Sequence, residues 1–227
     1  MNSFKEKLEN FWYYYKWHTI IGAFFVFFAI VAIWQLVSKE SVDTYVLYAG
    51  PRSLTADEIE EVEGAFRQFS PDLDGDGKKN VVLTDIVMLT SEQIEENKRI
   101  AAESGVDYYV DLEYMAQMKS NFATQIAAGD AYVCLLSPEL YAIDFPAGAY
   151  MTLGELGIDN AGSVDGVSLE FSELPFSKAF SVFERIPDDT VIAFRRMGAL
   201  SSAKGKSEHE RFESQKALFK EIVEFGR

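Results

Sequence analysis

Three carboxylates stand two residues apart in Asp72-Leu73-Asp74-Gly75-Asp76-Gly77, and Lys78-Lys79-Asn80 follows directly. Side chains at that spacing in a tight loop can turn their oxygens toward one point, and such a donor set suits a hard divalent cation. Gly77 permits the sharp bend this requires. Like charges packed so closely repel one another, and a cation between them relieves the crowding. The candidate ligands are the carboxylates of Asp72, Asp74 and Asp76, the carbonyl oxygen of Lys78, and Asn80. The ion expected is Ca²⁺ in a structural role. Without an ion, the same segment reads as a solvated acidic turn, because Asp-Gly pairs favour turns on their own.

The helix-loop-helix calcium motif closes its coordination shell with a bidentate Glu at loop position 12, and that position here is Leu83. The segment instead resembles the strand-flanked Ca²⁺ loops of bacterial surface proteins, D-x-[DN]-G-D-G-x-x-[DN]. Asn80 fills the ninth place, and an apolar run suited to a strand comes next. The resemblance implies an ion that pins the loop feeding that strand. Extracellular modules of this kind bind with Kd ~10⁻⁴–10⁻³ M.

Other chemistry is sparse. The chain has two histidines, His18 and His209, and neither has the companions of a catalytic triad or a zinc site. No G-x-S-x-G, H-E-x-x-H, P-loop or G-x-G-x-x-G occurs. The one cysteine, Cys134, lies in an apolar run and reads as core. We therefore expect a protein without catalytic residues; a carboxylate-based extracellular hydrolase is the rival enzymatic reading.

The elements that must position these groups alternate. Residues 44–49 suit a strand stopped by Gly50-Pro51, and Thr55 with Glu58 forms a capping box opening a helix to about 69. A strand is expected over 80–89, a helix capped by Thr90 and Gln93 to about 103, and a longer helix over about 108–128. Residues 131–136 are apolar on both faces, as in a central parallel strand. The pattern loosens over 143–187, recovers a strand at 190–195, and closes with a helix over 207–225. This order predicts an α/β fold with a mostly parallel sheet covered by helices.

In such sheets ligands sit beyond the carboxyl ends of the strands. The residues there are Arg52 and Ser53, Thr90 and Ser91, and Ser137 and Glu139. They could bind a ligand beside helix N-termini, or they could serve as helix caps. Tyr141, Phe145 and Tyr150 follow, either lining the same face or filling the core.

Phe122-Ala-Thr-Gln-Ile-Ala-Ala-Gly129-Asp130-Ala-Tyr-Val133 resembles the helix-to-strand passage of bacterial extracellular solute-binding proteins, and Thr152-Leu-Gly-Glu-Leu156 is similar to a short helix placed soon after it there. The resemblance covers residues 42–157 and implies a solute-binding fold. Only ~90 residues remain after the third strand, too few for a second full lobe, so it implies a single lobe or one with a reduced second half.

Thr19 to Val37 runs 19 residues without a charge, which as a helix covers the hydrocarbon core of a bilayer. Lys5, Lys7 and Lys16 precede the run and Lys39 follows it, so the positive-inside rule puts the N-terminus in the cytoplasm and the rest outside. Trp12, Tyr13, Tyr14, Tyr15 and Trp17 gather at one interface and Trp34 near the other. Phe4, Leu8, Phe11 and Tyr15 recur at helical spacing, which would carry the helix along the headgroups. The competing reading is a cleaved signal peptide, against which stand the long leader and the poor cleavage sequence at 38–41. The expected partition is a cytoplasmic or interfacial segment 1–18, a span 19–37, a linker 38–41 and an extracytoplasmic domain 42–227.

That domain has 17 basic and 33 acidic residues, a net charge of −16. A surface so anionic argues against nucleic acid and anionic lipid headgroups as partners. The partners expected are the bilayer through 19–37 and either a small solute or another envelope protein.

Overall fold

The computed structural model describes the backbone of residues 2–37, 41–159 and 162–226, and the side chains of 9, 11–34, 41–159 and 162–226. Lys39, linker residues 38–40, and the side chains of Phe4, Lys5, Lys7 and Leu8 lie outside the described residues. Two units divide at Ser41 and Val42.

The first unit is a single helix, α1 (Asn2–Val37). Its segment Phe11–Trp34, 24 residues of mean hydropathy 2.0, is long and apolar enough to cross a membrane, spanning about 36 Å at 1.5 Å per residue. A signal sequence passes the same test of length and composition. Phe24, Phe25, Phe27 and Phe28 are all exposed, so the apolar surface extends around the helix.

In the second unit β1 (Thr44–Gly50) leads to α2 (Ala56–Arg67), β2 (Val81–Val87), α3 (Ser91–Glu103), α4 (Leu112–Ala128) and β3 (Val133–Leu136). Then come α5 (Pro138–Asp144), α6 (Leu153–Leu156), β4 (Leu169–Glu170), α7 (Pro175–Ala179), β5 (Val191–Phe194), α8 (Ala199–Ser202) and α9 (Lys206–Glu224). The strands form one sheet in the order β2-β1-β3-β5-β4. β1 is parallel to β2, with Thr44 opposite Val81, and to β3, with Val46 opposite Val133. β5 is antiparallel to both β3 and β4.

The sheet is therefore mixed, which corrects the mostly parallel sheet read from the sequence. A parallel return requires a substantial crossover, usually a helix spanning the layer. Between β3 and β5 the helices have only seven, four and five residues. They return the chain to the carboxyl end of β3, and β5 must run back down.

Alternation along the strands divides the core. Val46, Tyr48, Val133, Leu135, Ile192 and Phe194 pack under α2, α7 and α9. Leu47, Ala49, Cys134, Leu136 and Ala193 pack with Phe122 of α4 and with Leu140 and Tyr141 of α5. The chain crosses one way from β1 to β2 and then back past β1 to β3, and this change of direction puts α2 and α4 on opposite faces of the sheet.

Two helix beginnings follow their caps closely. The Thr55 hydroxyl accepts from the Glu58 amide at 3.3 Å, and the Glu58 carboxylate accepts from the Thr55 amide at 2.9 Å. Thr90 and Gln93 repeat the arrangement for α3. α4 begins at Leu112, four residues later than the periodicity predicts, because Asp111 accepts from the Tyr114 amide at 2.9 Å and sets the cap there.

The end of α4 is held from a distance. Gly129 at its C-cap is extended, and the last turn has no basic residue of its own. Arg195, fully buried just after β5, donates to the carbonyls of Ile126 at 3.1 Å, Gly129 at 2.5 Å and Ala131 at 2.9 Å. Its guanidinium lies 4.4 Å from the centre of the Tyr132 ring. A cation at a helix C-terminus satisfies orphan carbonyls and opposes the negative end of the dipole.

Candidate functional site

Parallel pairing of β1 with β2 sets the residues preceding the two strands side by side. The carbonyl of Asn80 accepts from the amides of Asp43 at 2.9 Å and Thr44 at 3.1 Å. Asp43, only 1% exposed, returns the contact: its carboxylate accepts from the Asn80 amide at 2.7 Å and the Leu73 amide at 2.8 Å. Both ends of the acidic loop are thereby fastened to the start of β1.

Within the loop the Asp72 carboxylate accepts from the amides of Gly75 at 2.7 Å and Gly77 at 2.9 Å. Both glycines have positive φ, +74° and +83°, which residues with a Cβ adopt only under strain. Asp74 accepts from the Asp76 amide at 3.0 Å, and Asp76 from the Lys78 amide at 2.7 Å. Ligand oxygens of Asp43, Asp72 and Asp74 lie within 4.8 Å of one another, a group that could hold a metal ion. Each carboxylate oxygen retains lone-pair capacity beyond its amide partner.

Spacing in the sequence identifies two of the three acids in this group, Asp72 and Asp74. It does not identify Asp43, which stands 29 residues before Asp72 and belongs to no motif. The signal for Asp43 is topological: pairing the two strands in parallel puts the residue before Thr44 beside Asn80.

The six residues anticipated at the strand ends divide. Thr90, Ser91 and Glu139 line one cleft of about 570 Å³ at the end of β2, between α3, α4 and α5. Its walls are largely apolar, with Met88, Ile94, Met115, Leu140 and Ile143 among them, and Lys119 stands at its edge. Arg52 is instead paired with Glu58 at 2.8 Å, and Ser53 is exposed and does not line the cleft. Ser137 is buried, and its hydroxyl makes no hydrogen bond among the described residues. Tyr141 and Tyr150 are core residues with ring centres 5.1 Å apart, whereas Phe145 is 40% exposed. The Tyr141 hydroxyl is engaged with Asp165 at 2.5 Å.

A polar pair lies farther along the same strands, where buried Tyr48 is opposite half-buried Asp85. One Asp85 oxygen makes no hydrogen bond among the described residues, while the other accepts from the Leu54 amide at 3.1 Å. Burial pushes the Tyr48 phenol up to about 12 and holds the Asp85 carboxyl above its ordinary value. A raised native pKa means the folded state binds more protons than the unfolded one, so stability falls as pH rises through that window. Asp85→Asn is expected to raise the melting temperature by a few degrees at pH 7 and to flatten its decline between acid and neutral pH. Melts of both proteins over that range check this; an equal slope in the variant would exclude Asp85 as the cause.

His209 is exposed on α9, and Cys134 is fully buried, with its thiol pushed up to about 12 by burial. A thiol so placed is inert as a nucleophile. No protein-family model, curated protein or solved structure matches the chain.

Proposed function

We propose that this chain is a membrane-anchored extracytoplasmic binding domain, stabilised by Ca²⁺ in the 72–80 loop and taking its ligand at the carboxyl end of the sheet. α1 stays in the bilayer as the anchor, with its N-terminus in the cytoplasm. The domain works like a single lobe of a solute-binding protein, in keeping with the resemblance in residues 42–157.

The observation that carries this reading is the cleft. It opens where open α/β sheets bind ligands, its volume lies in the range of small-molecule sites, and it gathers three residues singled out from the sequence. Oxygen donors alone in the acidic group favour a hard ion, and Ca²⁺ tolerates irregular coordination better than Mg²⁺ does. A second reading, docking of another envelope protein without a small ligand, is favoured by the predominance of Met, Ile and Leu in the cleft walls.

Ala116 lines the cleft from the exposed side of α4, so Ala116→Trp fills the space without disturbing the core. Full-length protein in lipid nanodiscs, screened by thermal shift against a small-molecule library, is expected to yield binders whose stabilisation is lost in that variant. Binders unaffected by the Ala116→Trp substitution would move the site elsewhere, and an absence of binders would favour protein docking. Protease added to intact cells should remove the domain; protection would overturn the assigned orientation.

A further inference from the structure

Accepting the cleft as the binding site and resting on the second reading of it, protein docking, we propose that its occupant is an amphipathic helix of a partner protein, apolar on one face and lysine- or arginine-bearing on its flanks. The first support is α3. This 13-residue helix has a complete capping box yet buries none of its residues, whereas α2, α4 and α9 each bury at least one. Ile94 lines the cleft while only part-buried. Ile143, in the cleft wall, is 55% exposed, and Phe145, two residues on and outside the lining, is 40% exposed. An apolar face inserted between α3 and α5 would cover what the domain leaves open, in the manner of helix-in-groove recognition.

The second support is charge. Glu92 and Glu139 line the cleft and have no ion pair among the described residues, against one cation, Lys119, also unpaired among them. The surrounding domain carries a net −16. Such a field draws basic partners and turns away acidic peptides and anionic amphiphiles. Met88 and Met115 supply walls that can adapt to the apolar side chains of a helix. Finally, the chain enters the domain at the amino end of β1, and the cleft lies beyond the carboxyl end of β2, which is parallel to it.

The test uses full-length protein in zwitterionic nanodiscs with ¹³C-labelled methionine methyl groups, so that Met88 and Met115 report from the cleft and Met151 and Met197 from elsewhere. The probes are an 18-residue peptide of Leu and Lys with Leu at helical spacing, its Leu/Glu counterpart, and decylamine as a small cationic amphiphile. We expect the Leu/Lys peptide to shift the Met88 and Met115 signals saturably and to leave Met151 and Met197 in place, with the Leu/Glu peptide at least ~10-fold weaker. Glu92→Gln with Glu139→Gln should weaken the Leu/Lys peptide about three- to tenfold, with the melt lowered by no more than a few degrees because both acids stand in first helical turns. Lys119→Gln should not weaken it. Uniform shifts at all four methionines would overturn the proposal, since they mean general attraction to an anionic surface. Cleft shifts with decylamine but not with the peptide would also overturn it while leaving the cleft as a small-solute site. Silence at Met88 and Met115 with every probe would overturn both the proposal and the reading beneath it.

Discussion

Arg195→Ala is expected to destabilise the domain by about 3–5 kcal/mol, because the buried carbonyl of Ala131 and the half-buried ones of Ile126 and Gly129 lose a charge-assisted donor and the fully buried guanidinium leaves a void. For a domain of this size that lowers the melting temperature by about 10 °C. The loss arises at one place: the carbonyls of Ile126, Gly129 and Ala131 close the last turn of α4 and the approach to β3. Arg195→Lys retains the charge, but a single ammonium cannot reach three divergent acceptors as a planar fork can. It should recover less than half of the loss. Amide exchange over residues 122–131 should rise in both variants more than exchange over α2. A melt within about 1 kcal/mol of the parent for Arg195→Ala would show that the carbonyls find other donors, by the range for ordinary hydrogen bonds.

The second large effect belongs to Asp43. Asp43→Asn keeps the size of the side chain but presents an NH₂ group where a carboxylate oxygen accepted from Leu73 or Asn80. We expect about 1–3 kcal/mol of destabilisation even without cation. Adding 10 mM Ca²⁺ to the parent protein should stabilise it by about 1.4–2.7 kcal/mol if Kd is ~10⁻⁴–10⁻³ M. That increment should shrink or vanish in Asp43→Asn, Asp72→Asn and Asp74→Asn. Asp76→Asn is the informative companion, because Asp76 is a candidate by its spacing while the group within 4.8 Å comprises Asp43, Asp72 and Asp74. A melt indifferent to Ca²⁺ in the parent protein would leave the loop as a hydrogen-bonded turn and remove the cation from the proposed function.

What the sequence disclosed was local. Thr55 with Glu58 and Thr90 with Gln93 announce their helices because the reciprocal bonds span only three residues, and both are formed. The apolar run from Thr19 announces α1 for the same reason. The direction of β5 was not legible: Val191–Phe194 is apolar on both faces, and such a run packs equally well pointing either way. β4, with two residues, carries no periodicity at all. Arg195 and Asp43 escaped notice because their partners lie over 60 and about 30 residues away, respectively. Each is a charged residue beside a strand, where a solvated position is the ordinary reading. The cleft was half legible. Strand ends indicated Thr90, Ser91 and Glu139, but Met115 and Ile143 reach it through the packing of α4 and α5, which periodicity alone does not fix.

Asp43 stands two residues past Ser41, at the point where any tension transmitted along the tether first reaches the fold. With a partner gripping the far end of the sheet, that tension would run lengthwise through β1, which is bonded to β2 on one side and β3 on the other. Bonds loaded in this way must slip together rather than peel singly, and the Asp43 clasp to the 72–80 loop adds its bonds at the site of first strain. If α1 is the anchor we propose, the Asp43 clasp would be the first part of the fold to bear a pull along it, and a cation bound at Asp43, Asp72 and Asp74 would strengthen that clasp.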